Sequence, residues 1–324
     1  MSFLTRFETA IDDGLLALPD GPVSLLRPSP DFDPAVFQRP VQISHTFFPD
    51  VAVWRTQGFE VTQSAKEAAT AIVFLPRSKA LARSLIAEAS RVADFIIVDG
   101  QKTDGADSLY KACRKLVGDM PCLTKAHGRM FWMNADAAFE DWAAPPPAVG
   151  SEGFFTTAGV FSDGAVDKGS ALLANALPQK LAGRVADLGA GWGYLSKAVL
   201  IRDGVEGVDL VEAEALALDC ARLNLPDEPR ATFVWDDATA FGTAESYDHI
   251  VMNPPFHTGR DASPELGRAF IASAARLLRP KGSLWMVANR HLPYEAALDA
   301  SFAKVTPLDG TPGFKLFEVS RPRR

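Results

Sequence analysis

Five residues in the C-terminal half, Asn253-Pro254-Pro255-Phe256-His257, have the types and order that suit chemistry on a planar amino group. An exocyclic amino nitrogen of a base or an amide is a weak nucleophile, because its lone pair is delocalised. The Asn253 side-chain oxygen and the Pro254 carbonyl can accept both of its hydrogens. That holds the nitrogen in line with an electrophile and favours the charge that develops on it during attack. The paired prolines fix φ and remove donors, so the turn presents rigid acceptors. Phe256 supplies a face on which a planar group stacks. No acidic or thiol base is required, since the proton can leave after the new bond has formed. Asn253, Pro254 and Phe256 are the expected catalytic residues, with Pro255 and His257 against the substrate; a lone histidine beside a turn can equally be polar surface. Asn-Pro turns are common, so the motif gains weight only from what precedes it.

What precedes it is Val185-Ala-Asp187-Leu-Gly189-Ala-Gly191-Trp-Gly193-Tyr-Leu195, a strand running into a glycine-rich turn and then a helix. Glycines let the chain turn tightly and approach a ligand, and a helix N-terminus offers free N–H groups. A dinucleotide-binding turn needs its third glycine at position 194, where Tyr194 stands. The spacing Asp-x-Gly-x-Gly-x-Gly is instead the S-adenosylmethionine version, which makes Asp187, Gly189, Gly191 and Gly193 cofactor residues. Glu212 closes the next strand about 20 residues on, where an acid takes ribose hydroxyls in doubly wound folds. Asp237, after the third strand, is placed for the adenine amino group. Asp209 and Asp236 are the fallback acids, because strand ends read from sequence slip by a few residues. Trp192 and Tyr194 can pack on the cofactor or simply on a helix, and Cys220 reads as core.

These motifs need a parallel sheet to hold them. After Pro145-Pro-Pro147 the chain alternates β-branched runs with helical periods, the pattern of a doubly wound α/β sheet. Strands are expected at 184–188, 208–212, 232–235, 249–252 and 283–288, with a closing pair at 304–308 and 314–319 joined through Gly310-Thr-Pro-Gly313. That puts Asn253 at the carboxyl edge of the fourth strand, where ligands bind in open α/β sheets. Before the prolines, strands at 71–75 and 95–99 flank an amphipathic helix at 78–91. The prolines mark the boundary, giving domains 1–147 and 148–324. Ile72-Val-Phe-Leu-Pro-Arg and Ile250-Val-Met-Asn-Pro-Pro occur in the same order of elements, so the halves read as copies, with Leu75 standing where Asn253 stands. Two unrelated βαβ units can also look this alike.

Composition excludes several classes. With 47% hydrophobic and 23% charged residues the 324-residue chain is ordinary globular protein in bulk. No apolar run approaches the ~18 residues of a membrane span, and Glu8, Asp12 and Asp13 break up the opening, so no secretory core is expected and the chain is assigned to the cytoplasm. Three cysteines without a Cys-x-x-Cys or clustered histidines predict neither disulfides nor a metal. The net charge of −7 divides as −3 over 1–150 and −4 over 151–324. A nucleic-acid binder usually shows a more open basic footprint, although Arg260, Arg268, Arg290 and the Arg321-Pro-Arg-Arg tail can form a local basic face.

Taken together, Gly159-Val-Phe-Ser-Asp-Gly-Ala-Val-Asp-Lys-Gly-Ser170, the glycine turn, Asn253-Pro-Pro-Phe-His257 and Val287-Ala-Asn-Arg-His-Leu-Pro-Tyr294 resemble the bacterial small-subunit ribosomal RNA guanine-N2 methyltransferases. The resemblance covers most of 151–324 and extends faintly to 74–79. It implies a class I, Rossmann-like methyltransferase sheet with a C-terminal antiparallel hairpin, preceded by a smaller degenerate methyltransferase-like domain. It further implies S-adenosylmethionine as cofactor, a guanine of 16S rRNA, free or in a ribosomal subunit, as target, and a cofactor pocket lined around Phe161, Asp167 and Lys168 to Ser170. Asn289-Arg-His291 is similar to the sister enzymes of large-subunit rRNA. A protein glutamine methyltransferase, a DNA adenine methyltransferase and an inactive RNA-binding assembly factor are the competing readings. Phe256-His257, the lack of a target-recognition domain, and intact Asp187, Glu212 and Asn253 weigh against them in that order.

Overall fold

The computed structural model describes residues 2–150, 152–162, 165–255 and 264–323. Phe256 and His257 lie outside the described residues. The chain divides into two units, Met1–Pro146 and Pro147–Arg324.

The N-terminal unit runs α1 (Ser2–Asp12), β1 (Val23–Leu26), β2 (Val41–Ser44), α2 (Phe48–Thr56), β3 (Val61–Thr62), β4 (Ala68–Phe74), α3 (Lys79–Val92), β5 (Ala93–Gln101), α4 (Ala106–Val117), β6 (Cys122–Lys125) and β7 (Gly128–Asn134). The C-terminal unit opens with a short antiparallel pair, β8 (Ala148–Val149) and β9 (Phe155–Thr156). It continues α5 (Lys168–Ala176), β10 (Lys180–Leu188), α6 (Tyr194–Leu200), β11 (Asp203–Glu212), α7 (Ala215–Asn224), β12 (Ala231–Trp235), β13 (Tyr247–Met252), α8 (Pro264–Leu277), β14 (Leu278–Asn289), α9 (Glu295–Ser301), β15 (Phe302–Leu308) and β16 (Phe314–Pro322). Each unit holds one seven-stranded sheet. Their orders, β3-β2-β1-β4-β5-β7-β6 and β12-β11-β10-β13-β14-β16-β15, are the same. In both, five parallel strands end in an antiparallel pair at one edge.

The apolar run Ile250-Val-Met252 that ends β13 follows from cover on both faces. Ile250 and Met252 pack with Leu284, Met286 and the α8 residues Phe270, Ile271 and Ala274 on one side. Val251 packs with Trp285, Val287, Leu173 of α5 and Leu195 of α6 on the other. At the expected hairpin turn, Arg290 donates from Nε and Nη2 to the Thr311 carbonyl at 2.9 and 2.6 Å. The helix expected at 78–91 begins at Lys79, with Ser78 as its N-cap accepting from Leu81 N at 3.3 Å. The first 67 residues hold elements that the sequence pattern left unassigned: α1, β1, β2, α2 and β3.

The halves also agree in register. Leu188 pairs with Val211 and Met252, Met252 with Met286, and Met286 with Phe317. Leu26 pairs likewise with Ser44 and Val73, Val73 with Val98, and Val98 with Phe131. The faces match too, since Ile72 shares a core with Phe3 and Phe7 of α1 as Val251 does with Leu173 and Ala174 of α5. Phe74, not Leu75, therefore corresponds to Asn253. Aligning the similar letters at 72–77 and 250–255 offsets the strands by one residue, which would turn every side chain of β4 to the opposite face.

Candidate functional site

The site lies at the carboxyl edge of β10, β11 and β13. Beyond β10 the chain reverses through Gly189, Gly191 and Gly193, with φ of +74°, +55° and +87°, a region that only glycine enters without strain. A Cβ on Gly191 would meet nothing within 4 Å, so the turn faces open space there. Gly189 N and Ala190 N both donate to the Val211 carbonyl, at 2.9 and 3.1 Å, tying the turn to the end of β11. Glu212 completes the tie. Its Oε2 accepts from Gly191 N and its Oε1 from Glu214 N, both at 2.8 Å. Burial pushes its pKa above the ordinary glutamate value, against the pull of these backbone donors.

A cleft opens over this turn, lined by Gly189, Ala190, Gly191, Trp192, Phe161 and Asp167, with Ser170, Tyr194, Leu195 and Asn253 completing the wall. Trp192 both lines it and pins its outer lip, donating from Nε1 to the Phe161 carbonyl at 3.0 Å. The Phe161 ring is 55% exposed and free to stack on a ligand. Beneath the lip, the buried Asn224 donates to the carbonyls of Trp192 (2.8 Å) and Phe155 (2.9 Å). Cys220 is fully buried beside Trp192, as expected of a core residue.

Asn253 follows β13 and is the polar centre of the cleft wall. Its Nδ2 donates to Asp167 Oδ2 and to Ser170 Oγ, both at 2.9 Å. The same Asp167 oxygen caps α5 by accepting from Ser170 N at 2.8 Å. Both Asn253 amide hydrogens are thus engaged, and Oδ1 is the atom left for a ligand. Pro254 and Pro255 follow directly, Pro254 buried and Pro255 exposed.

Several expected residues stand elsewhere, and Gly193 and Glu212, which shape the turn, are likewise not among the lining residues. Asp187 does not line the cleft: it is fully buried behind the glycine turn, with Oδ2 accepting from Ser196 Oγ at 2.7 Å and Oδ1 without a hydrogen-bond partner. Burial raises its pKa to about 7, opposed by the Ser196 hydroxyl and backbone and reinforced by the charge of Glu212. Lys168 is exposed on the first turn of α5, outside the cleft lining, because its neighbours Gly169 and Ser170 occupy the buried side. Asp237 closes its own turn, Oδ1 accepting from Thr239 N and Oγ1 at 2.8 and 2.7 Å, and is not among the lining residues. Of the fallback acids, Asp209 sits inside β11, taking Tyr247 Oη at 2.5 Å and Arg184 Nη2 at 3.0 Å, and Asp236 caps Asp237 N at 2.7 Å. Neither serves the cleft. Sequence reasoning missed Ser170 as an Asn253 partner, Ser196 under Asp187, and Asn224. The only available signal was Asp167-x-x-Ser170, which reads as a helix N-cap and says nothing of a second partner 83 residues away.

Comparison with known proteins identifies the family. Residues 152–318 match the family model described as methyltransferase small domain, so the fold and site define a class I methyltransferase. A Shewanella sp. (strain MR-4) protein named ribosomal RNA small subunit methyltransferase C is 32% identical over 264 residues, 78% of this chain and 77% of its own. A Psychromonas ingrahamii protein of that name is 40% identical over 147 residues, 45% of this chain and 42% of its own. The chain belongs to the ribosomal RNA small subunit methyltransferase C family. A solved 16S rRNA N2 methyltransferase of T. thermophilus, in complex with AdoMet and guanosine, has the same fold over 94% of this chain and 90% of its own, with a TM-score of 0.77 and 24% identity. Among the described residues no helix is long and apolar enough to cross a membrane, and no three His, Cys, Asp or Glu side chains group as metal ligands.

Proposed function

We propose that this chain transfers the methyl group of S-adenosylmethionine to the N2 amino group of a guanine in 16S rRNA, free or within a ribosomal subunit, in the cytoplasm. One observation carries the reading: the Asn253 amide and the glycine turn line the same cleft. A methyl donor over the turn and an amino group at Asn253 are then neighbours. The name of the Shewanella relative supports the small subunit over the large. The AdoMet and guanosine bound by the T. thermophilus enzyme support the cofactor and the base.

The residues present fit that cofactor. The space over Gly191 admits a ligand backbone-close, and each Glu212 oxygen has spent one lone pair on a backbone N–H, leaving others for ribose hydroxyls. When bound, S-adenosylmethionine supplies an electrophilic methyl group. Gly189 to Gly191 and the exposed Phe161 ring hold and orient it. Asn253 Oδ1 and the Pro254 carbonyl accept the two amino hydrogens, which places the nitrogen lone pair toward the methyl group and stabilises its developing charge. The proton then leaves to solvent. Phe256 and His257, outside the described residues, are proposed to contact the base together with Pro255. In this reading 148–324 is the catalytic domain and 1–147 a non-catalytic one. The test supplies labelled cofactor in parallel to 16S rRNA, small and large ribosomal subunits, DNA and a release-factor protein. N2-methylguanine in 16S rRNA is the expected product; label on adenine or glutamine, with none on guanine N2, overturns the assignment.

A further inference from the structure

We infer that Asp167 and Ser170 are positioning residues that lock the Asn253 side chain in one of its two amide orientations, so that the cleft admits a group bringing hydrogens and rejects one bringing a lone pair. The inference rests on the proposed methyl transfer to an amino group and adds to it the residues that select that group.

An asparagine amide is nearly symmetric in shape and opposite in chemistry at its two ends, so its rotation decides whether a site receives donors or acceptors. Here the rotation is dictated by the neighbours. Asp167 offers its carboxylate, which has lone pairs and no hydrogen to give, at 2.9 Å from the Asn253 nitrogen. The flipped amide would set oxygen against oxygen at that distance, with no hydrogen between them. Ser170 Oγ takes the second Nδ2 hydrogen at 2.9 Å, which leaves Oδ1 as the only part of the amide able to meet a ligand.

The partners are themselves fixed. Asp167 is the N-cap of the nine-residue α5, its Oδ2 also holding Ser170 N. Ser170 is 8% exposed. Gly169 between them is buried, and a Cβ there would lie 2.9 Å from the Phe314 ring and 3.0 Å from Asp167 Oδ2, so the first turn of α5 can press on β16 only with glycine at this place. The lock therefore joins α5, β13 and β16. An unprotonated ring nitrogen or a keto oxygen of a base has no hydrogen for Oδ1 and is repelled by it, whereas an exocyclic amino group satisfies it.

The test is a charge-swap cycle on the full chain. Asn253→Asp places a carboxylate against Asp167 and is expected to lower single-turnover methyl transfer ~10²-fold or more. Adding Asp167→Asn returns a donor to the pair, and is expected to recover at least tenfold of that loss, with S-adenosylmethionine held saturating throughout the cycle. Ser170→Ala, which keeps the helix and one of the two bonds, is expected to slow kcat ~5–10-fold with KM unmoved. A second readout needs no catalysis: the Asn253 Nδ2 protons in ¹⁵N spectra of the ligand-free protein should exchange slowly, and faster in Ser170→Ala. A folded, cofactor-binding double variant no better than Asn253→Asp overturns the lock, as do Asn253 protons that exchange like those of an exposed asparagine. A wild-type enzyme that methylates something other than guanine N2 defeats the functional reading instead, and leaves the proton-exchange result to judge the lock.

Discussion

The two halves share a strand order and a register and differ at the positions where the C-terminal half is proposed to do its chemistry. Asn253, with its amide in the cleft wall, corresponds to Phe74, whose ring packs 5.0 Å from that of Phe3 and 5.5 Å from that of Phe32. Gly189 corresponds to Arg27. Both donate from backbone N to the end of the neighbouring strand at 2.9 Å, and both hold positive φ, +74° against +57°. Glu212 corresponds to His45, and the local geometry survives: His45 Nδ1 accepts from Phe47 N as Glu212 Oε1 accepts from Glu214 N. Asp187, the buried acid, corresponds to Leu25, equally buried and apolar. The backbone devices are common to both halves, while the buried carboxylate without a cationic partner, Asp187, and the glycine turn belong to the C-terminal half.

In place of those features the N-terminal half has its own centre. Arg6 is fully buried and grips Asp99 through Nε and Nη2 at 2.6 and 2.7 Å, with Nη1 donating to the Lys125 carbonyl at 2.9 Å. If this half is structural, breaking that pair destabilises it and leaves the chemistry alone. Arg6→Ala should cost about 3–5 kcal/mol, since it strands a buried carboxylate, and the double replacement Arg6→Met with Asp99→Leu should return much of that. Denaturant titration measures both, and methyl transfer per folded molecule should stay within about twofold. A folded Arg6→Ala protein that had lost activity would mean that the N-terminal half shares in catalysis.

The corresponding pair Asn253 and Phe74 sharpens the comparison. Asn253→Ala should lower the rate ~10²–10³-fold, the usual loss for one preorganised acceptor, with cofactor affinity nearly unchanged. Phe74→Ala should cost about 2–3 kcal/mol of stability, less than a wholly buried phenylalanine, and nothing in turnover. Single-turnover kinetics beside unfolding curves separate the two outcomes.

A smaller effect is expected at Asp187. Its folded pKa, about 7, stands above the ordinary aspartate value of 3.8, chiefly through burial. An acid raised in this way favours the folded state fully below its unfolded pKa and loses that contribution as pH rises through about 7. Wild-type stability should therefore decline between about pH 4 and pH 7 from this group. Asp187→Asn, which keeps an oxygen for Ser196, should melt several degrees higher than wild type at pH 8 and little differently at pH 4. Equal shifts at both pH values would show that the Asp187 charge is not penalised.

The C-terminal half was legible in sequence because its signals are local. β-branched runs marked all seven strands of the main sheet, and the glycine turn and Asn253-Pro-Pro fixed two points of the cleft. The first 67 residues were not legible, since β1, β2 and β3 have four, four and two residues and the loop after β1 has lost the glycines that name its counterpart. Within the site, residues that touch ligand-facing atoms through the backbone were found, whereas contacts made across the fold were not. Asp187 and Glu212 both bear the expected identity, yet neither is among the cleft-lining residues: Asp187 is buried behind the turn, and Glu212 ties the turn to the end of β11 through backbone N–H groups. Lys168 is the chain neighbour of the lining Asp167 and is turned outward by helix phase, while Asp237 is taken up by a local turn away from the lining residues.

The account stands most directly on where the cofactor binds, and a calorimetric titration of the full chain with S-adenosylmethionine decides it. One site per chain is predicted, lost or weakened at least tenfold in Glu212→Ala and Gly191→Val and unchanged in His45→Ala and Arg27→Ala. Two sites per chain, or a single site that survives Glu212→Ala and Gly191→Val but disappears with His45→Ala, would contradict it.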